Sequence, residues 1–140
     1  GLARGLSQSR LVRGGDRVTD AARVADYLGH ILRAIERIGR YTADMDQAAF
    51  LANELVQDAV VRNIEILGEA ANKVQRDAPG FAAWHGDIPW MVMYTMRNRV
   101  SHAYDKVDLE IVWNTIRNDL PALHARIQAV QASISDIHEP

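Results

Sequence analysis

The chain has 140 residues, no cysteine and a formal charge of −2 at neutral pH. That length fits one domain with an ordinary core. The missing cysteines exclude a disulfide scaffold and any thiolate zinc site, and they fit a cytoplasmic protein. No apolar run approaches the roughly 20 residues that a membrane helix needs, so no membrane partner is expected.

Residues 1–15, GLARGLSQSRLVRGG, show no helical period and no acidic residue. They read as a tag or linker ahead of a domain spanning 16–140. Without Arg4, Arg10 and Arg13 the formal charge falls to −5. A polyanionic partner would therefore have to meet a local basic footprint, or one shared by two chains.

The first predicted helix runs from about Asp16 to Arg40. Ala21, Ala25, Leu28, Leu32 and Ile35 alternate by four and three, and Val24, Ile31 and Ile38 widen that stripe into a core-facing band. Asp44 is placed to cap a short turn through Phe50. A long helix follows from about Asn53 to Arg76. Val56, Val60, Asn63, Leu67, Ala70 and Val74 line one side of it, and Asp58, Arg62, Glu65 and Glu69 fall on the opposite side at about 100° per residue. The segment DAPGFAAWHGDIP, with two prolines and two glycines, reads as a loop. Asp87 is a candidate N-cap with Pro89 near the first helical position, opening a third helix that carries WMVMYTMRNRVSHAY. Asp108 caps a fourth helix, with Glu110 in its first turn. Pro121 interrupts the pattern, so the last helix is either kinked or restarted after Asn118 or Asp119. No segment alternates with period two for long enough to make a strand. The expected class is all-α, an up-and-down bundle of four to five helices.

Chemistry concentrates between Arg97 and Tyr104. Arg97, Asn98, Arg99, Ser101, His102 and Tyr104 fall within eight positions. Arginine grips a phosphate through two parallel hydrogen bonds, and histidine moves a proton near neutral pH. RNA carries its own nucleophile, the 2′-hydroxyl. Arginine plus histidine is therefore a sufficient minimum for its cleavage without a metal or other cofactor. By composition alone such a cluster is more often just a solvated helix end. Arg97 and His102 lie five residues apart, about 140° around a helix. Either the helix unwinds before His102, or the cooperating arginine and histidine do not come from one continuous face, which a two-chain site would solve.

Arg97, four residues, His102, one residue and Tyr104 together resemble the signature of the HepT-like branch of the HEPN superfamily. The resemblance extends to RNIEILGEAANKV (Arg62 to Val74), to the run from Pro89 to Tyr104, and to VDLEIVWNTIRNDLPAL (Val107 to Leu123), covering roughly Asp16 to Ile127. It implies a helical, homodimeric endoribonuclease toxin of a type II toxin–antitoxin system, cleaving RNA without a metal. Its implied partner is a minimal nucleotidyltransferase antitoxin of the MntA type that can attach AMP to Tyr104. Arg97 and His102 match the catalytic pair, His102 as base or acid, and cleavage through the 2′-hydroxyl would leave a 2′,3′-cyclic phosphate. The rival is a non-catalytic HEPN partner that presents substrate to a nucleotidyltransferase; a module of that kind would need no proton-transfer group.

Other residues carry two readings each. Glu65 and Glu69 could support the site or form a solvated, ion-paired face with Asp58 and Arg62. Asn63 could set pairing register or be a hydrogen-bonded core residue. Trp90, Met91, Met93 and Met96 read as core or dimer contact. Arg99 and Lys106 could bind RNA phosphates or be surface charges. His30, His85, His124 and His138 stand isolated in the sequence, and no Glu-x-x-His pair marks a di-iron site.

Overall fold

A computed structural model describes the backbone of residues 2–102 and 108–138, and the side chains of 21–98, 100 and 108–134. Among the described residues there are helices and no strand. They are α1 (Leu2–Thr42), α2 (Gln47–Leu51), α3 (Glu54–Asp77), α4 (Pro79–Trp84), α5 (Trp90–His102), α6 (Leu109–Asn118) and α7 (Leu120–His138). The all-α class expected from the periodicity is the one found. The count exceeds four to five because two short helices join the long ones.

α3 is the centre of the bundle. It packs against α1 on one side and α5 on the other, while α7 closes over α1. Its buried positions Val60, Val61, Asn63, Ile64, Leu67, Gly68, Ala70, Ala71 and Val74 span about half the helix circumference at 100° per residue. That band is wider than the single stripe seen in the sequence because two neighbours cover it. The predicted polar side stays outside: Asp58 and Arg62 are exposed, and Glu65 and Glu69 are partly so. From α1 the core takes Val24, Leu28, Ile31, Leu32, Ile35 and Ile38, with Ala21 packed at its edge. Asn63 donates from Nδ2 to the carbonyl of Ala59, whereas its buried Oδ1 has no partner among the described residues.

Several local expectations are corrected. α1 reaches back to Leu2 rather than starting near Asp16. Leu, Ala, Arg and Gln between those points are good helix formers, and extending an existing helix needs no new nucleus. Asp46, not Asp44, caps α2, accepting from the Ala49 N–H at 2.8 Å. The segment read wholly as a loop contains α4, because Pro79 occupies the start of that helix, where its missing N–H costs nothing. α5 opens at Trp90, and the Pro89 carbonyl, not that of Asp87, accepts the first bond from the Met93 N–H.

Two other signals hold. Asp108 accepts from the N–H groups of Glu110 and Ile111 at the start of α6. The Pro121 pattern resolves as a restart: α6 ends at Asn118 and α7 begins at Leu120, with Leu123 donating to the Asp119 carbonyl.

Side chains lock the ends of the helices. The Trp90 indole N–H reaches the carbonyls of Ala82 and His85 and pins α4 to α5. Arg117 lies 4.4 Å over the Trp113 ring and donates to the carbonyls of Thr42 and Met45, satisfying acceptors at and beyond the end of α1. His124 and Glu36 join α7 to α1 at 2.7 Å.

Tyr27 of α1 donates to Asp77 of α3 at 2.7 Å. That hydrogen bond, with a second from Arg76, holds the Asp77 carboxyl below its usual range. The hydrogen bond to Asp77, then burial, raises the Tyr27 phenol above its own. A lowered carboxyl contributes stability above its unfolded value of about 3.9, lost as the pH falls through the folded value; a raised phenol contributes stability below about 10, lost as the pH rises through the folded value. Tyr27→Phe should therefore lower the melting temperature most between those limits and least at either extreme. Thermal melts from about pH 2 to 12 check this, since the loss falls beyond both unfolded values; a constant offset across that range would show that the bond does not carry the effect.

Candidate active site

Arg97 sits on α5 where that helix crosses α3. The close approach is made by Gly68. A Cβ built there would stand 2.3 Å from the Arg97 Cβ and 2.8 Å from the Met93 carbonyl oxygen, both closer than real contacts allow. The Arg97 stem thus lies directly against the α3 backbone. Its guanidinium is oriented from three sides. Nη1 donates to the Asn98 Oδ1 at 2.9 Å, Nε lies 3.7 Å from the Glu69 Oε2, and the Tyr94 ring centroid is 5.9 Å away. Arg97 and Glu69 are each partly open to solvent, at 32% and 39%.

Arg97 and Glu69 line a polar cleft of about 340 Å³, together with His30 of α1 and Arg62, Glu65, Ile66, Ala70 and Lys73 of α3. Two arginines, a lysine and a histidine face two glutamates, so a chain of net negative charge gathers basic side chains here. A fixed, planar, partly exposed guanidinium in such a cleft is suited to holding a phosphate through two donors.

The structure brings together four of the predicted residues: Arg97 and Asn98 in contact, Glu69 beside them, and Glu65 in the same cleft. The side chains of Arg99, Ser101 and His102, and all of Tyr104 and Lys106, lie outside the described residues. The helical backbone does continue through His102. Unwinding before His102 therefore does not relieve the spacing of about 140° between it and Arg97.

Sequence reading missed Gly68, His30 and Lys73. A lone glycine inside the helical run EILGEAA was a signal of close packing. Lys73 extends the Arg62, Glu65, Glu69 face by one turn. His30 had no signal, since only tertiary packing places α1 beside this face. Of the aromatic and thioether cluster, Trp90 and Met93 are buried and Met91 is 60% exposed.

A model of the ribonuclease HepT-like family matches residues 31–130, and the chain belongs to that family. It is similar to the "Probable ribonuclease HepT" of Thermococcus cleftensis, at 37% identity over 106 residues, 76% of this chain and 94% of that one. A Methanocaldococcus jannaschii protein named for a gamma-glutamylcyclotransferase and a candidate RNase is 35% identical over 108 residues, 77% of this chain but only 47% of its own length. A second protein from that organism, also named as a candidate RNase, is 29% identical over 107 residues and is covered for 95% of its length. No solved structure matches. Among the described residues no helix is long and apolar enough to cross a membrane.

Proposed function

We propose that the chain is an endoribonuclease toxin that cleaves RNA without a metal, in the cytoplasm, and leaves a 2′,3′-cyclic phosphate. The observation that carries this reading is the Arg97 guanidinium, oriented by Asn98 and Glu69 at the mouth of a polar cleft in a chain of a ribonuclease family. Arg97 clamps the scissile phosphate and stabilises the charge that builds on it. His102 transfers a proton. Two chains face their Arg97-to-Tyr104 segments into one cleft. A dimer of that kind would let the arginine of one chain work with the histidine of the other, which the angular separation on α5 favours, and would double a positive potential that the net charge conceals. Purified protein should cut RNA in EDTA, leave cyclic-phosphate ends, and run as a dimer by light scattering. Loss of cutting with the chelator, or a strict monomer that cuts at full rate, would sink the respective part.

The partner in this reading is a minimal nucleotidyltransferase antitoxin that attaches AMP to Tyr104. The added group brings bulk and negative charge two residues from His102, and both compete with RNA for Arg97. Co-expression with the cognate nucleotidyltransferase should add the mass of AMP to the Tyr104 peptide. An active Tyr104→Phe variant should then resist neutralisation. Equally complete neutralisation of that variant would point to occlusion instead.

A further inference from the structure

Cleavage through the 2′-hydroxyl requires two proton transfers at one phosphate, one from the 2′-oxygen and one to the leaving 5′-oxygen. Each copy of the motif supplies one histidine, and His30 lines the cleft from α1. A further proton-transfer group stands beside the phosphate clamp: the Glu69 carboxylate, 3.7 Å from the Arg97 Nε and lining the same cleft. Its position is not explained by the fold. It lies on the polar side of α3, away from the core, and exposed ion pairs of this kind add little to stability. At 3.7 Å the carboxylate is attracted to the guanidinium but not tied to it by a hydrogen bond. Glu65 lines the cleft one turn earlier on α3, about 6 Å along the axis.

We propose that Glu69 is the general base of RNA cleavage and that His102 is therefore the general acid. This assignment rests on the endoribonuclease reading above. An ionised carboxylate accepts protons and has none to give, so in that form it fits only the first of the two transfers. The 2′-hydroxyl and the scissile phosphate hang on adjacent carbons of one ribose, so a base next to the phosphate clamp is near the 2′-oxygen as well. The 2′-hydroxyl proton passes to a Glu69 oxygen, and the freed electron pair forms the 2′-oxygen–phosphorus bond. The bond from phosphorus to the 5′-oxygen breaks, and that oxygen takes a proton from protonated His102. The products are a 2′,3′-cyclic phosphate and a 5′-hydroxyl, and exchange with water restores both side chains.

The test uses an RNA oligonucleotide with a mapped cut site and a second copy carrying sulfur in place of the bridging 5′-oxygen there, since a thiolate leaves without being protonated. Glu69→Gln should lower kcat about 10²–10⁴-fold on both substrates, with KM within a few-fold of the parent, and Glu69→Asp should recover part of the loss. His102→Ala should be slow on the ordinary RNA and largely restored on the sulfur substrate. Parent kcat in Glu69→Gln, a change confined to KM, or a Glu69→Gln defect cured by sulfur would each overturn the base assignment: the first leaves both transfers to histidines, the second makes Glu69 a binding or orienting group, and the third makes it the acid. A parent chain that cuts neither substrate overturns the endoribonuclease reading itself, and the assignment with it.

Discussion

Replacing Arg97 with lysine is expected to slow RNA cleavage about 10²–10³-fold, the typical cost of losing one placed donor from a transition-state cradle. Lysine keeps the charge but not the planar fork. Its ammonium cannot reproduce the in-plane placement that the hydrogen bond to Asn98 gives the guanidinium at Nη1. The loss should fall on kcat, because the charge that Arg97 meets grows during the reaction. His102→Ala should cost about 10²–10⁴-fold on ordinary RNA. Arg97→Lys should keep the parent's melting behaviour to within a few degrees: Arg97 is partly exposed, and α5 buries itself through Trp90, Met93 and Val100 instead. Single-turnover cleavage of a labelled oligonucleotide, with a thermal melt of each variant, checks both statements. Parental rates for Arg97→Lys would remove the guanidinium from the mechanism.

Gly68→Ala should damage stability and activity together. The added methyl would meet the Arg97 Cβ and the Met93 carbonyl, and neither is the loose end of a side chain. α5 must therefore move away from α3. Overpacking of this sort costs about 1–3 kcal/mol. The displaced helix also carries the arginine, and a shift of about 1 Å at a catalytic group can cost about 10²-fold in rate. Gly39→Ala is the matched control. It lies on the exposed side of α1 with nothing within 4 Å of the added Cβ, so it should gain up to about 1 kcal/mol from helix propensity. Denaturant melts and cleavage rates of the two variants decide the matter. If Gly68→Ala melts and cuts like the parent, the close crossing does not set the site.

Much of the architecture was legible from local chemistry. The four-and-three spacing of apolar residues reports directly on which side of α1 and α3 faces the core. Asp108 and Pro121 act through backbone groups one to four residues away, and their readings held. Where local signals were ambiguous, reading went astray. Asp44 and Asp46 are both plausible caps, and only the path of the chain after Thr42 selects the second. Pro79 with Gly80 looks like a break, yet a proline at the first position of a helix is a start. α4 is then held in place by the Trp90 indole, from eight residues further on.

The candidate-site residues divide along the same line. Arg97, Asn98, His102 and Tyr104 were named by the sequence because the motif is contiguous, and family membership follows from such ordered blocks. The sequence also put Glu65 and Glu69 on one polar side of α3, since that is a matter of helical angle alone. What it could not decide is which of those charges meets Arg97. That depends on how closely α5 crosses α3, which the missing side chain of Gly68 permits, and on the turn of α3 at which the crossing falls. Tertiary packing alone brings His30 of α1, Lys73 of α3 and Arg97 of α5 to one cleft, because contacts between helices are set by shape and volume rather than by distance along the chain.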